Sequence, residues 1–214
     1  MICGFDWTRW SVRCAGVVAV ILIATTSPAW SEDSSLAPDA LVRQVLADVL
    51  AAIKNIPSSD REGREKALVL AKQKILPHLD FARMTRLAVG RPWRSAEVSQ
   101  RKVLIAEFGT LITRIYSAAI DAYDGHEIQV DPVRLAPGGD DVIVRTRFKK
   151  VGAVPVEVNY FMWKSVQGWK VYDIVVENVS LVITSRSQFG EEVARSGIDG
   201  LIRTLTEKNR APTR

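Results

Sequence analysis

The segment "WKVYDIVVENVSLVITSRSQF", Trp169 to Phe189, decides how the chain is read. It begins as a strand rich in β-branched residues and stays apolar past the five or six residues an ordinary strand uses. Apolar side chains stand at both parities: Val171, Ile174, Val175, Val176, Val179, Leu181, Val182 and Ile183. Thr184 to Gln188 then turn polar and lead into a helix. Either this strand is buried on both faces, or it borders something apolar that is not protein.

Upstream of it the sequence alternates with period two, as strands do. "DVIVRTRFKK" puts Val142, Val144, Thr146 and Phe148 on one face, and Ile143, Arg145, Arg147 and Lys149 on the other. "VPVEVNYFMWK" sets Val156, Val158, Tyr160 and Met162 opposite Glu157, Asn159 and Phe161, and "SVQG" forms a hairpin turn into the opening strand. "EIQVDPVRL" is a strand interrupted by Pro132, which suits an edge or a bulge. The alternation predicts an antiparallel sheet with one solvated face and helices over the other.

Helical periodicity flanks these strands. Pro38 begins a helix with Leu41, Val42, Val45, Leu46, Val49, Leu50 and Ile53 on one stripe, and Pro57 closes it. A second helix runs from about Asp60 to Leu76 and stops at Pro77; a short third ends at Gly90. The fourth is long, with Ser95 as its cap, Gly125 at its end, and a stripe of Leu104, Phe108, Leu111, Ile112, Ile115, Tyr116, Ala119 and Tyr123. Two short helices broken at Gly197 follow the last strand, and residues 209–214 form a polar tail. Helices, a strand meander, then helices make an α+β fold. The N-terminal and long helices would pack on a curved antiparallel sheet and enclose an apolar cavity, a shape used by carriers and enzymes alike.

The first 31 of the 214 residues stand apart. Arg9 and Arg13 precede the apolar run Ala15 to Thr26, and "SPAWSED" offers small residues at Ala29 and Ser31 for cleavage. The run is too short for a helix across a ~30 Å hydrocarbon core, so 1–31 reads as a cleaved secretory signal and the folded domain as 32–208. Both cysteines, Cys3 and Cys14, lie in the leader, so the exported domain relies on its core alone. The net charge of +5 comes without a Lys/Arg block, and export argues against nucleic acid. A mildly basic surface suits anionic membranes or acidic proteins better.

Catalytic signals are sparse. His78 and His126 each sit at a helix end, where the dipole gives an ordinary reason for a protonatable group. The sequence contains no Gly-rich phosphate loop, HExxH or GxSxG. Asp173 and Glu177 share a parity opposite Tyr172, Ile174 and Val176, so both carboxylates are expected to face outward, where charge is inexpensive to keep. What remains is surplus apolar surface. The candidate lining comprises Val144 and Phe148; Val156, Val158, Tyr160 and Met162; Tyr172, Ile174 and Val176; Leu111 and Ile115 of the long helix; and Val179 and Leu181 at the mouth. Pattern alone leaves two fillings open: the side chains of a closed core, or an acyl chain.

The opening segment carries a resemblance that bears on this choice. Trp169, Tyr172, Asp173, Ile174, Glu177, Val179, Ser180 and Leu181 match the C-terminal signature of the MlaC / toluene-tolerance family of periplasmic phospholipid-binding proteins. "LPHLDFARMTRLAVGRPWRSAE" is similar to that family's helix-junction segment at Pro77, Asp80, Phe81, Met84, Gly90, Trp93 and Arg94, and "GIDGLIRTL" to its last helix. The likeness runs from about Leu36 to Lys208. Asn178 stands where the family often has Gly, and Arg91-Pro92 depart from its usual pair before Trp93. The resemblance implies an NTF2-like sheet portion and a pocket for phospholipid acyl chains, with no catalysis and no cofactor. It also implies a periplasmic shuttle between an outer-membrane lipoprotein–porin complex and an inner-membrane ABC transporter with an MCE-domain ring, which maintains outer-membrane lipid asymmetry. A related subgroup is associated with hopanoids, and an enzyme of NTF2-like shape is the competing expectation.

Overall fold

The computed structural model describes residues 36–54, 61–121, 125–136 and 139–211. The leader expected over 1–31, Pro57, Tyr123 and the last three tail residues lie outside these, as do the side chains of Tyr116 and Ala119.

Among the described residues, five α-helices and six strands follow in the expected order. Helix α1 (Pro38–Lys54) takes Pro38 in its first turn, where no N–H is missed, and α2 (Arg61–Ile75) runs into a 3-10 turn at Leu76–His78. Helix α3 (Phe81–Val89) is capped by Asp80, whose carboxylate accepts from the Arg83 N–H at 2.8 Å. Gly90 ends it at φ 68°, ψ −133°, a backbone open to glycine and few others. Helix α4 (Val98–Asp121) begins two residues later than a cap at Ser95 would set it. The Ser95 hydroxyl donates to the Pro92 carbonyl instead of capping, because the 3-10 turn Arg91–Arg94 claims it; Gln100 Oε1 accepts from the Glu97 N–H at 3.0 Å.

The sheet is antiparallel throughout. Its order is β1 (Glu127–Val130), β3 (Val142–Lys149), β4 (Val156–Ser165), β5 (Gly168–Val176) and β6 (Val179–Ser180), with β2 (Arg134–Leu135) beside β3. β1 and β2 are one edge strand interrupted around Pro132, as the sequence suggested. The β4–β5 hairpin pairs Ser165 with Gly168.

β5 departs from simple alternation. Val171 opposes Met162 while Asp173 opposes Phe161, so Tyr172 is an extra residue on this strand, a β-bulge. The bulge changes parity: Val171 and Ile174 come onto one face with Met162 and Tyr160, and Asp173 turns to the other. The segment after β5 also differs. It makes a tight turn at Glu177 (φ 47°) and Asn178 (φ 64°), pairs briefly as β6, and enters α5 (Leu181–Arg210). Thr184 to Gln188, read as a polar connection, are helical, with Thr184, Arg186, Ser187 and Gln188 on the exposed side. The expected break at Gly197 is present as a non-helical residue (φ 69°, ψ −175°) within this element.

Two apolar clusters result. One belongs to the helices: Met84, Leu104, Phe108, Ile112, Phe189, Leu201 and Leu205 are buried together, with the Phe108 and Phe189 rings edge to face at 5.1 Å. The other joins Val42 of α1 to Val142, Val144, Met162, Val171 and Ile174 of the sheet. Asn178 occupies a left-handed backbone that costs a β-branched residue roughly 1–2 kcal/mol more. Asn178→Val should therefore lower unfolding free energy by about that amount in a denaturant titration, while Asn178→Gly should be neutral.

Candidate functional site

The inner sheet face is built by register. Val144–Tyr160–Ile174 and Thr146–Val158–Val176 form rows across β3, β4 and β5, with Phe148–Val156 continuing beyond them. Burial falls along this face. Val142, Met162 and Val171 are buried at one end beneath α1, whereas Val156 and Val176 are 36% and 37% exposed at the other. Phe148 and Val158 are half-buried between. An apolar face that opens to solvent at one end can receive a chain-like ligand. Tyr160 adds a polar group to this face, and burial pushes its hydroxyl up to about 12, so it stays protonated at neutral pH.

The candidate lining residues separate into three groups. Val144, Val158, Tyr160, Met162 and Ile174 come together in the sheet cluster. Leu111, Tyr172 and Leu181 pack against the helical cluster instead. Ile115, Val156, Val176 and Val179 are exposed, and Phe148 borders the open end. A second concavity went unread in the sequence. Phe81 of α3, Lys72 of α2 and Ile105, Ala106, Gly109, Thr110, Thr113 and Arg114 of α4 line an open cleft of about 410 Å³, within the size range of ligand pockets. Its signal was the small-residue stripe Ala106, Gly109, Thr110, Thr113 on α4; Gly109 lets the Phe81 ring lie close.

The polar signature residues Asp173, Ser180 and Glu177 do something other than line a cavity. Asp173, expected to face outward, is 8% exposed. Its Oδ1 accepts from the N–H groups of Ile174 (2.8 Å) and Val182 (3.2 Å), and its Oδ2 from the Ser180 hydroxyl at 2.5 Å. Ser180 in turn caps α5 by accepting from the Ile183 N–H at 3.0 Å. Asp173 does stand opposite Ile174, as its parity predicts; it is buried because α3 and α5 cover that second face of β5, so the carboxylate meets the returning chain there and not solvent. Burial raises the carboxyl above its ordinary range, and these hydrogen bonds oppose that rise. Glu177 also serves the backbone. It accepts from the Glu157 N–H through its side chain at 2.5 Å, and donates its own N–H to the Glu157 carbonyl at 3.0 Å.

A polar–aromatic joint ties α3 to the sheet. The Arg83 guanidinium lies 3.9 Å over the Tyr172 ring and 5.2 Å over Trp163, and reaches Asp141 at 2.6 Å. Asp80 accepts from Trp163 Nε1 at 2.9 Å. Burial and the adjacent Asp141 push the Tyr172 hydroxyl up to about 12. His78 lies in the 3-10 turn, where burial and then Lys170 lower its pKa. His126 stands just before β1. Neither histidine approaches the Asp173 cluster in sequence, and Asp173 has both oxygens committed to the chain.

Residues 43–207 match the profile of the MlaC protein family, most of the chain. The chain belongs to the MlaC family. A Haemophilus influenzae relative, named intermembrane phospholipid transport system binding protein MlaC, is 21% identical over 207 residues, covering 95% of this chain and 94% of its own length. A solved structure of a phospholipid-binding protein from Ralstonia solanacearum, in complex with a phospholipid, is 35% identical with a TM-score of 0.71. It covers 80% of this chain and 96% of that one. The MlaC-type mixed fold with its curved antiparallel sheet is thus established from both sequence and shape.

Asp173→Ala should destabilise the domain by about 2–4 kcal/mol, read from chemical unfolding, because it leaves the Ser180 hydroxyl and two N–H groups unsatisfied. The pH dependence has a definite sign. A carboxyl raised in the fold binds its proton more tightly there than in the unfolded chain, so its contribution declines as pH rises from the ordinary value through the raised one. In Asp173→Asn that decline should vanish from the acid limb of the stability–pH curve.

Proposed function

We propose that this chain is a phospholipid carrier of the periplasm, exported by the leader at residues 1–31 and folded over 32–208. It would take acyl chains against the inner sheet face and leave the head group at the open end near Phe148, Val156 and Val176. The observation that carries this reading is the graded burial of one continuous apolar face. The phospholipid bound to the 35% identical relative supports it.

The physical need is clear. Exposing a ~16-carbon chain to water costs on the order of 12 kcal/mol, at ~0.8 kcal/mol per CH₂. A carrier lowers that barrier by offering apolar walls without selective hydrogen bonds, and no bond is made or broken. Val144, Val158, Met162 and Ile174 supply such walls. Among the described residues no helix is long and apolar enough to cross a membrane, as a shuttling domain requires. On this reading the donors and acceptors are an outer-membrane lipoprotein–porin complex and an inner-membrane MCE-domain ABC transporter, and no cofactor takes part.

Native mass spectrometry of the protein recovered from its host tests the reading directly. The expected result is a mass increment that solvent extraction identifies as phospholipid; bare protein would overturn it, and a hopanoid would reassign the cargo. Val158→Glu should lower lipid occupancy by more than about tenfold, since a carboxylate against acyl chains loses several kcal/mol of hydration. Its thermal midpoint should fall much less, because the half-buried Val158 leaves a charge free to reach water when the lipid is absent.

A further inference from the structure

A second surface of this molecule carries a charge pattern that lipid carriage leaves unused. Arg86 in the last turn of α3, Arg91 and Arg94 in the following 3-10 turn, and Arg186 in the second turn of α5 are all exposed. Gly90 is their hub. Its N–H bonds the Arg86 carbonyl at 3.0 Å, and the Arg186 guanidinium lies directly over it: a Cβ on Gly90 would stand 3.2 Å from Arg186 Nε. Arg91 follows Gly90 in the chain, and the turn closes with the Trp93 N–H on the Gly90 carbonyl at 3.2 Å. A fifth arginine, Arg101 of α4, stacks 5.4 Å over Trp93 and donates to the Arg94 carbonyl at 3.2 Å, which fixes the turn that presents Arg91 and Arg94.

None of Arg86, Arg91, Arg94 and Arg186 forms an ion pair within the described residues. The acidic groups on the elements packed here are engaged elsewhere or stand apart. Glu97 accepts from Ser99, Asp199 from Gln100, Glu192 from Arg195, and Glu191 is solvent-exposed further along α5. Arg83, one turn before Arg86, is by contrast neutralised by Asp141. Four exposed like charges on adjoining segments, in a chain of net charge +5, favour an anionic partner.

We propose that this arginine cluster is a docking surface for an acidic protein partner, one that presents several carboxylates to it. The proposal rests on the carrier reading, for which a carrier must find its donor and acceptor. Guanidinium groups pair with carboxylates two bonds at a time and hold their geometry, which suits a protein acceptor; a bilayer surface is met as well by lysine. The cluster is also carried on fixed backbone turns, which hold the spacing that carboxylates on a folded partner would match.

The test titrates full-length mature protein with a fluorescein-labelled deca-glutamate peptide at several salt concentrations, in parallel with phosphatidylglycerol vesicles. The comparison is Arg86→Gln/Arg91→Gln/Arg94→Gln/Arg186→Gln, with Arg145→Gln/Lys149→Gln on β3 as a charge-matched control for half the change. The expected result is peptide affinity at least tenfold weaker in the quadruple variant, a shallower salt slope, and little change in the control. Equal loss in the control, or no loss in the quadruple variant, overturns the proposal, as does binding to vesicles in preference to the peptide. A single Arg186→Gln variant, at an exposed side chain with no ion pair among the described residues, should weaken the peptide several-fold and guards against a folding defect in the quadruple change. Lipid occupancy by native mass spectrometry stays at the wild-type level in each variant if docking and carriage are separate; wild-type protein without lipid would instead sink the carrier reading and leave the peptide result standing on its own.

Discussion

The buried Asp173 carboxylate is the constraint on which the rest of this structure depends. It gathers the Ile174 and Val182 N–H groups and the Ser180 hydroxyl, and so joins the end of the sheet to the first turn of α5. A charge placed away from water is tolerable only when its lone pairs are filled, and here three donors fill them. Through this link α5 is held along β5, and the helical core of Phe108, Phe189, Leu201 and Leu205 is fixed relative to the strands. The Arg83–Tyr172–Asp141 stack makes the same connection from α3. Polar joints at the sheet's β5 side thus do the mechanical work that a continuous apolar interface would do in a tightly filled domain.

That arrangement has a functional consequence. Because hydrogen bonds and a stacked guanidinium anchor the helices, the inner sheet face does not have to be fully covered for the fold to stand. Val142, Met162 and Val171 are sealed under α1, while Val156 and Val176 remain open. A face buried at one end and wet at the other is costly as a monomer surface, and on the proposed reading acyl chains would cover it. The bulge at Tyr172 brings Val171 onto the inner face beside Ile174 and leaves Asp173 on the face that meets α5.

Much of this was legible in the chain. The order of helices and strands, the edge strand broken at Pro132, and the helix ends at Pro38 and Gly90 all follow from local rules about which backbones each residue tolerates. The candidate lining was legible in part, since Val144, Val158, Tyr160, Met162 and Ile174 obey the pleat and do meet on one face. Leu111, Tyr172 and Leu181 were assigned to that face by parity and stripe, and the fold spends them in the helical cluster.

The sequence by itself determined the element types, the inward pattern of β3 and β4, and membership in a family whose signature it bears, because these depend on side-chain period and backbone preference within a few residues. Only the tertiary structure decided that Asp173 is buried, that Val171 shares a face with Ile174, and where α5 begins. A bulge is one residue inserted against a partner strand, and it leaves no trace in the composition of its own strand. Its effect, a reversal of every parity beyond it, exists only once β4 and β5 are paired.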